Sequence, residues 1–174
     1  MTERRKDERA RYLSETAYHL HPGYIYYSSE NIAIRTVVGN SVAVCLWDKK
    51  LKQGGMNHFL YPQIKDTEKS TPKYGNVATI ALIKTLKEAG SDPEDLVAQI
   101  VGGASSKKSY KNIGEKNISI ARQVLKKHGI RVISEDLGGE IGRKVIFDLK
   151  SGQLLVVKVH RIRETDWVKD IPQD

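Results

Sequence analysis

Short apolar runs separated by turn residues fill the chain from residue 24 to residue 159, and this pattern limits the possible folds more than any other feature. The most apolar run, residues 37–47, is β-branched on both sides of a small polar kink at Gly39-Asn40-Ser41. Such a run is typical of a buried strand that is interrupted at its start. Further strand-like runs lie at 24–27, 32–34, 54–62, 96–101, 130–134, 144–148 and 154–159, with a hairpin turn at 150–153.

Two segments instead carry the apolar spacing of an α-helix. The first covers residues 77–86 and is followed by a terminating glycine, Gly90. The second covers residues 112–128 and stops before Gly129. We therefore predict an α/β fold with a strand-rich core, built from mostly antiparallel or mixed sheet and flanked by two main helices.

The length of 174 residues suits one domain with an arm, and it is too short for two full cores. Residues 1–18 are polar and charged without a strong apolar period, so we predict an arm or a frayed helix there. Residues 19–163 form the predicted domain. Residues 164–174 are expected to form a loose tail.

Charge and cysteine content exclude several classes of protein. The net charge of +8 favours anionic partners, but the excess is spread thinly and shows no nucleic-acid-binding signature. No stretch of eighteen apolar residues exists, and the charged N-terminus lacks the apolar segment of a secretory signal. The single cysteine, Cys45, excludes an internal disulfide. We therefore expect a cytoplasmic protein with no membrane insertion and no nucleic-acid partner.

Few residues suggest chemistry by spacing alone. His58 lies in a strand-like run, where a histidine is usually a satisfied core residue. The Gly39-Asn40-Ser41 kink resembles half of a nucleophile elbow, but such an elbow leads into a helix whereas this kink precedes a strand. His19 and His21 lack a third metal ligand nearby in sequence, so we predict no metal. Glu135 and Asp136 are adjacent, which would direct their side chains to opposite faces of a strand.

Several motifs along the chain, taken together, resemble those of one known family. In order they are His21-Pro22-Gly23, residues 36–48, residues 54–62, residues 74–78, Gly102-Gly103-Ala104-Ser105, residues 112–117 and residues 134–139. Over residues 19–160 these motifs are similar, in one unbroken order, to the chemoreceptor glutamine deamidase family, CheD. The resemblance implies a strand-rich α/β fold with outer helices and no cofactor. It also implies hydrolysis of glutamine side chains on chemoreceptor helical bundles, giving glutamate and ammonia.

The resemblance further implies a Cys-His-Thr site. In such a site a thiolate attacks the amide carbon, the histidine transfers protons and the threonine orients the histidine. His58 matches the family's histidine, and Thr36 matches its threonine, although a one-residue shift would place Arg35 there instead. Some members of the family are also bound by a CheC-type phosphatase.

The sequence departs from the family at the nucleophile, because Ser41 stands where the family has its reactive cysteine. Cys45 lies four residues further on in an apolar run, so we expect it to be buried and inert. A serine hydroxyl is un-ionised and depends on His58 as its base, so we expect weak or no deamidase activity. The serine fits either an introduced substitution or a natural divergence.

Two hypotheses follow. The first is a glutamine deamidase whose catalytic residues are Ser41, His58 and Thr36. Its expected substrate-binding residues are Gly39, Asn40, Asn57, Gly102, Gly103, Ala104 and Ser105, of which the last four are equally consistent with a packing role. The second is a catalytically silent module that binds chemoreceptors or a CheC-type phosphatase. The positive charge fits both, and nucleic-acid binding rests on charge alone.

Overall fold

The computed structural model describes residues 17–106 and 112–160. These residues form nine strands, two α-helices and a short 3₁₀ turn. The strands are β1 (Ala17–His19), β2 (Ile25–Ser28), β3 (Ala33–Val38), β4 (Val42–Asp48), β5 (Gln53–Phe59), β6 (Leu96–Gly102), β7 (Arg131–Leu137), β8 (Gly142–Asp148) and β9 (Gln153–Val159), and the helices are α1 (Gly75–Glu88) and α2 (Ile113–Lys127). The predicted mixed α/β fold is confirmed.

The strands form two sheets of mixed direction. The five-stranded sheet has the order β2-β5-β4-β6-β7, in which only the β6–β7 pair is parallel. The four-stranded sheet has the order β1-β3-β8-β9, in which only the β1–β3 pair is parallel. The prevalence of antiparallel pairing agrees with the many short turns in the sequence.

Two hydrophobic clusters lie on the two faces of the five-stranded sheet. Along β4, Val42, Val44 and Leu46 pack with residues of both helices, whereas Ala43 and Cys45 pack with residues of the four-stranded sheet. Because successive strand residues point to opposite faces, a strand covered on both faces must be apolar throughout. This explains the uninterrupted apolar sequence of β4.

The polar kink at 39–41 has a larger role than the interrupted strand that the sequence predicts. It joins β3 of the four-stranded sheet to β4 of the five-stranded sheet. The kink therefore carries the chain from one sheet to the other. A local apolar pattern contains no information about which sheet each half joins, so this crossover could not be predicted.

The predicted N-terminal arm is wrong for its last two residues. Ala17 and Tyr18 lie in β1, where they pair with Ala33 and Ile34 of β3. A three-residue strand has too little periodicity to be recognised, and its pairing with β3 determines its conformation. The rest of the predicted arm and the whole predicted tail, residues 164–174, lie outside the described residues.

Neither described helix is long and apolar enough to cross a membrane.

Candidate active site

Three side chains from different elements form a continuous hydrogen-bonded chain between the two sheets. His58 Nε2 lies 2.7 Å from Ser41 Oγ, and His58 Nδ1 lies 2.7 Å from Thr36 Oγ1. Thr36 lies in β3, Ser41 lies in the kink before β4, and His58 lies in β5 opposite Ala43. The structure thus brings together the three residues predicted to be catalytic, all of them buried.

The hydrogen bonds of Thr36 determine which nitrogen of His58 carries the proton. The Thr36 hydroxyl donates to the carbonyl oxygen of Leu20, at 2.8 Å. Since a hydroxyl has one hydrogen, its contact with His58 Nδ1 must be one in which the Nδ1–H donates. In a neutral imidazole Nε2 is then the acceptor, and it accepts from the Ser41 hydroxyl. This is the tautomer that a general base for residue 41 requires.

Burial keeps His58 in this neutral form. The side chain is 0% exposed, and loss of hydration disfavours the imidazolium, which lowers the pKa of His58 from 6.5 to about 3. A neutral imidazole at physiological pH is able to accept a proton. Burial also raises the pKa of the Cys45 thiol, which keeps it protonated, in line with the expectation that Cys45 is inert.

The lowered pKa of His58 predicts a loss of stability in mild acid. Between its folded value of about 3 and its unfolded value of 6.5, the unfolded chain binds the extra proton. The free energy of unfolding is therefore fully retained above pH 6.5 and falls as the pH drops below it, by up to about 1.4 kcal/mol per pH unit from this residue. Denaturant titrations above and below pH 6.5 will measure this slope. The variant His58→Gln, which has no titratable imidazole at this position, should have a shallower slope, and an equal slope would contradict the assignment.

All three carbonyl groups of the kink are held by hydrogen bonds from neighbouring segments. The backbone N–H of Ala104 donates to Gly39 O at 2.9 Å, and that of Gly103 donates to Ser41 O at 2.8 Å. The side-chain amide of Asn117, in α2, donates to Asn40 O at 3.0 Å. Within residues 17–106 and 112–160, no turn or loop hydrogen bond is donated by the backbone N–H of Asn40 or Ser41.

The glycines at the end of β6 allow this close approach. Gly102 has a φ of +116°, and a Cβ at this position would collide with the carbonyl oxygen of Ser41. The predicted substrate-binding segment 102–105 thus supports the kink directly.

A pocket of about 340 Å³ lies beside the kink, and its lining includes Gly39, Asn40, Ala104 and Ser105. Gly102 and Gly103 do not line it.

Asn57 does not join the other predicted substrate-binding residues. It neighbours His58 in β5, so its side chain points to the opposite face of the sheet. There it is fully buried, accepts from Val44 N at 2.9 Å and donates to Thr79 Oγ1 in α1 at 3.2 Å. These contacts connect the sheet to the helix.

The adjacent acids of β7 point in opposite directions, as the sequence predicts. Glu135 pairs with Arg122 in α2, and Asp136 pairs with the buried Arg143 in β8. Arg143 also donates to the carbonyl oxygen of Gly138 at 2.9 Å. Among the described residues, no group of three or more histidine, cysteine or acidic side chains is arranged to hold a metal ion.

Asn117 is the residue that the sequence reasoning missed. It lies within the apolar stripe of α2, whose buried members include Ile118 and Ala121. An asparagine at a buried helical position needs hydrogen-bond partners, and this is the signal that would have indicated its role.

The arrangement of Ser41, His58 and Thr36 has the geometry of a nucleophile, a base and a group that orients the base, on a mixed α/β fold. The family model for CheD chemotactic sensory transduction matches residues 61–158. The probable chemoreceptor glutamine deamidase CheD of Trichlorobacter lovleyi is 41% identical over 142 residues, which cover 80% of this chain and 88% of that protein. The protein of the same name from Sulfurimonas denitrificans is 36% identical over 147 residues, with coverages of 82% and 94%. This chain belongs to the CheD family.

A solved structure of a Bacillus licheniformis hypothetical protein, YfiH, aligns with a TM-score of 0.47 and 14% identity, covering 67% of this chain and 51% of that one.

Proposed function

We propose that this protein is a cytoplasmic chemoreceptor glutamine deamidase of bacterial chemotaxis, with its catalytic group at position 41. The observation that carries the proposal is His58, which contacts Ser41 through Nε2 and Thr36 through Nδ1 at 2.7 Å each. The proposal is supported by the relatives described above, which are named as probable chemoreceptor glutamine deamidases.

The reaction proceeds through an acyl-enzyme. The side-chain atom of residue 41 attacks the amide carbon while His58 Nε2 accepts its proton. His58 then donates this proton to the departing nitrogen, and ammonia leaves as the carbon–nitrogen bond breaks. Water attacks the resulting ester, or thioester if residue 41 is cysteine, again with His58 as base. The products are glutamate and the regenerated side chain of residue 41.

The groups around residue 41 orient the base and polarise the substrate amide. Thr36 holds the Nδ1–H of His58, so that Nε2 stays the acceptor. The backbone N–H groups of Asn40 and Ser41 polarise the amide oxygen, since among the described residues neither group donates a turn or loop hydrogen bond. The pocket lined by Gly39, Asn40 and Ser105 adjoins residue 41, although Ser41 and His58 do not line it, so it is the place for the part of the substrate next to the reacting amide.

Replacement of Thr36 by valine removes the acceptor for the Nδ1–H of His58. In the Ser41→Cys background we expect Thr36→Val to lower kcat by about tenfold to a hundredfold, because the imidazole loses its fixed tautomer and orientation. Thr36→Ser keeps the hydroxyl and should retain most of the activity. Steady-state kinetics on a receptor fragment will compare them, and equal rates for the valine and serine variants would show that the hydroxyl has no part in catalysis.

The test of the proposed function is ammonia release from a chemoreceptor cytoplasmic fragment, together with a one-dalton mass increase on the modified glutamine. The chain as it stands, Ser41→Cys and Ser41→Cys with His58→Ala are compared at equal concentration. Activity in the cysteine variant alone supports the deamidase site. Absence of activity in all three overturns it.

A second candidate function is a catalytically silent module that binds chemoreceptors or a CheC-type phosphatase. The serine at position 41 favours it, because the chain keeps the family's fold while its residue at the nucleophile position is weak. Receptor-fragment binding without turnover, by both the unsubstituted chain and Ser41→Cys, would support this function.

A further inference from the structure

We propose that Asn117 is a positioning residue that fixes the distance between the nucleophile kink and the strand carrying the base. The proposal rests on the proposed function, because it assigns Asn117 a role in the same reaction. Asn117 touches neither Ser41 nor His58 through its hydrogen bonds, so it acts through the backbone on either side of them.

The side-chain amide of Asn117 connects the two segments directly. Its Nδ2 lies 3.0 Å from the carbonyl oxygen of Asn40 and 3.0 Å from that of Leu60. Asn40 immediately precedes Ser41, and Leu60 follows His58 by two residues. One NH₂ group therefore uses both of its hydrogens to hold the two backbones together.

The position of this contact explains why a side chain is needed. The pairing of β4 with β5 ends at Val42 and Phe59, so Asn40 and Leu60 lie just beyond the last paired residues. Beyond these residues the backbone hydrogen bonds of the sheet no longer join the two strands. The Asn117 amide supplies a tie where the sheet's own hydrogen bonds have stopped.

The burial of Asn117 indicates that its donors are specifically required. The residue is 0% exposed, and its Oδ1 has no hydrogen-bond partner among the described residues. A buried polar atom without a partner is destabilising, so an apolar residue would serve simple packing better at this position. The asparagine is explained by the two carbonyl groups that its nitrogen reaches.

The helix that carries Asn117 is held rigidly against the same segment. Gly114, one turn earlier in α2, lies so close to the loop after β6 that a Cβ would be 2.6 Å from the carbonyl oxygen of Ala104. That loop also donates to the carbonyl oxygens of Gly39 and Ser41. The position of Asn117 is therefore constrained by the packing of its helix against this loop, as a positioning role requires.

The test uses the Ser41→Cys protein with and without Asn117→Leu. Leucine has a similar volume and no donor, so both hydrogen bonds are lost without a large cavity. Gln99→Leu is the matched control, because Gln99 is also a buried amide that donates to a backbone carbonyl, that of Gly152 at 2.8 Å. Two quantities are measured: kcat and KM on a receptor fragment, and the rate at which iodoacetamide alkylates the introduced thiol across a pH series. The unsubstituted chain, in which Cys45 is the only cysteine, gives the background rate of alkylation.

We expect Asn117→Leu to lower kcat by at least about tenfold with KM changed by less than about threefold, since the nucleophile is displaced from the base. The alkylation rate near neutral pH should fall by a similar factor, because a thiol moved away from His58 Nε2 loses the group that accepts its proton. Gln99→Leu should change neither rate by more than about twofold. If the two variants have equal kcat and equal alkylation rates, the proposal is overturned.

The measurements distinguish failure of the proposed function from failure of the role proposed for Asn117. If Ser41→Cys does not deamidate the receptor fragment, the proposed function fails, while alkylation of the introduced thiol still decides the role of Asn117. If Asn117→Leu does not fold, Asn117→Ser is used, since serine is small and polar but too short to reach both carbonyl groups. An alkylation profile for the serine variant identical to that of Ser41→Cys alone would likewise overturn the proposal.

Discussion

Substitution of Ser41 by cysteine is expected to raise the rate of glutamine deamidation by at least about a hundredfold. A thiol is a few per cent ionised at neutral pH, whereas the serine hydroxyl depends wholly on His58 to remove its proton. The low pKa of His58, about 3, makes it a weak base. This lowers the reactivity of a serine nucleophile more than that of a cysteine, because serine depends fully on the base. Sulfur is also larger than oxygen, which brings the attacking atom closer to the amide carbon.

The measurement is ammonia release from a receptor fragment by the chain and by Ser41→Cys. The variant Ser41→Ala provides the baseline with no nucleophile, and Ser41→Cys with His58→Ala tests whether the gain depends on the base. Cys45 is buried in all of them and contributes no reactive thiol. If the unsubstituted chain is already as fast as the cysteine variant, serine is a competent nucleophile here, and the expectation of weak activity is wrong.

The second large effect is expected from Gly114→Ala, which should lower the free energy of unfolding by about 3 kcal/mol. A glycine-to-alanine change inside a helix normally stabilises, by up to about 1 kcal/mol. Here the added Cβ would lie 2.6 Å from the carbonyl oxygen of Ala104 and 2.7 Å from Ser105 Oγ, and closer still to the carbonyl oxygen of Gly103. Backbone atoms cannot move away without shifting α2 from the loop, so the collision outweighs the helix preference.

Thermal and denaturant unfolding of Gly114→Ala will measure this loss. Ser119→Ala is the matched control, since Ser119 is an exposed residue of the same helix and alanine should change its stability by less than about 0.5 kcal/mol. A Gly114→Ala protein as stable as the unsubstituted chain would show that the loop moves freely, which contradicts the tight packing at this point.

Much of the fold was predictable because it depends on local patterns. The helices at 75–88 and 113–127 have apolar spacing and terminating glycines close to those predicted. Strands β2 and β5 to β9 coincide with the short apolar runs, within a few residues at each end, whereas the run at 37–47 is divided between β3 and β4. The chain order of these motifs also carried the CheD resemblance, which the comparisons confirm.

The candidate site was predictable only through that resemblance. Spacing alone favoured a core role for His58, and a buried strand histidine is indeed what the structure contains. What distinguishes His58 from an ordinary core histidine is its contact with Ser41 and Thr36, which come from two other segments of the chain. The choice between Thr36 and Arg35 likewise depends on which face of β3 points between the sheets, and the structure brings Thr36 to His58.

The sequence by itself determined the apolar strands, the two helices and the polar kink that carries Ser41, because each of these follows from side chains that are neighbours along the chain. Only the tertiary structure decided that the kink crosses between sheets, that Asn57 bonds to Val44 and Thr79, and that Asn117 connects the kink to the end of β5. These features depend on contacts between residues 13 to 77 positions apart. Such contacts form only when the sheets and helices pack, so no local pattern encodes them.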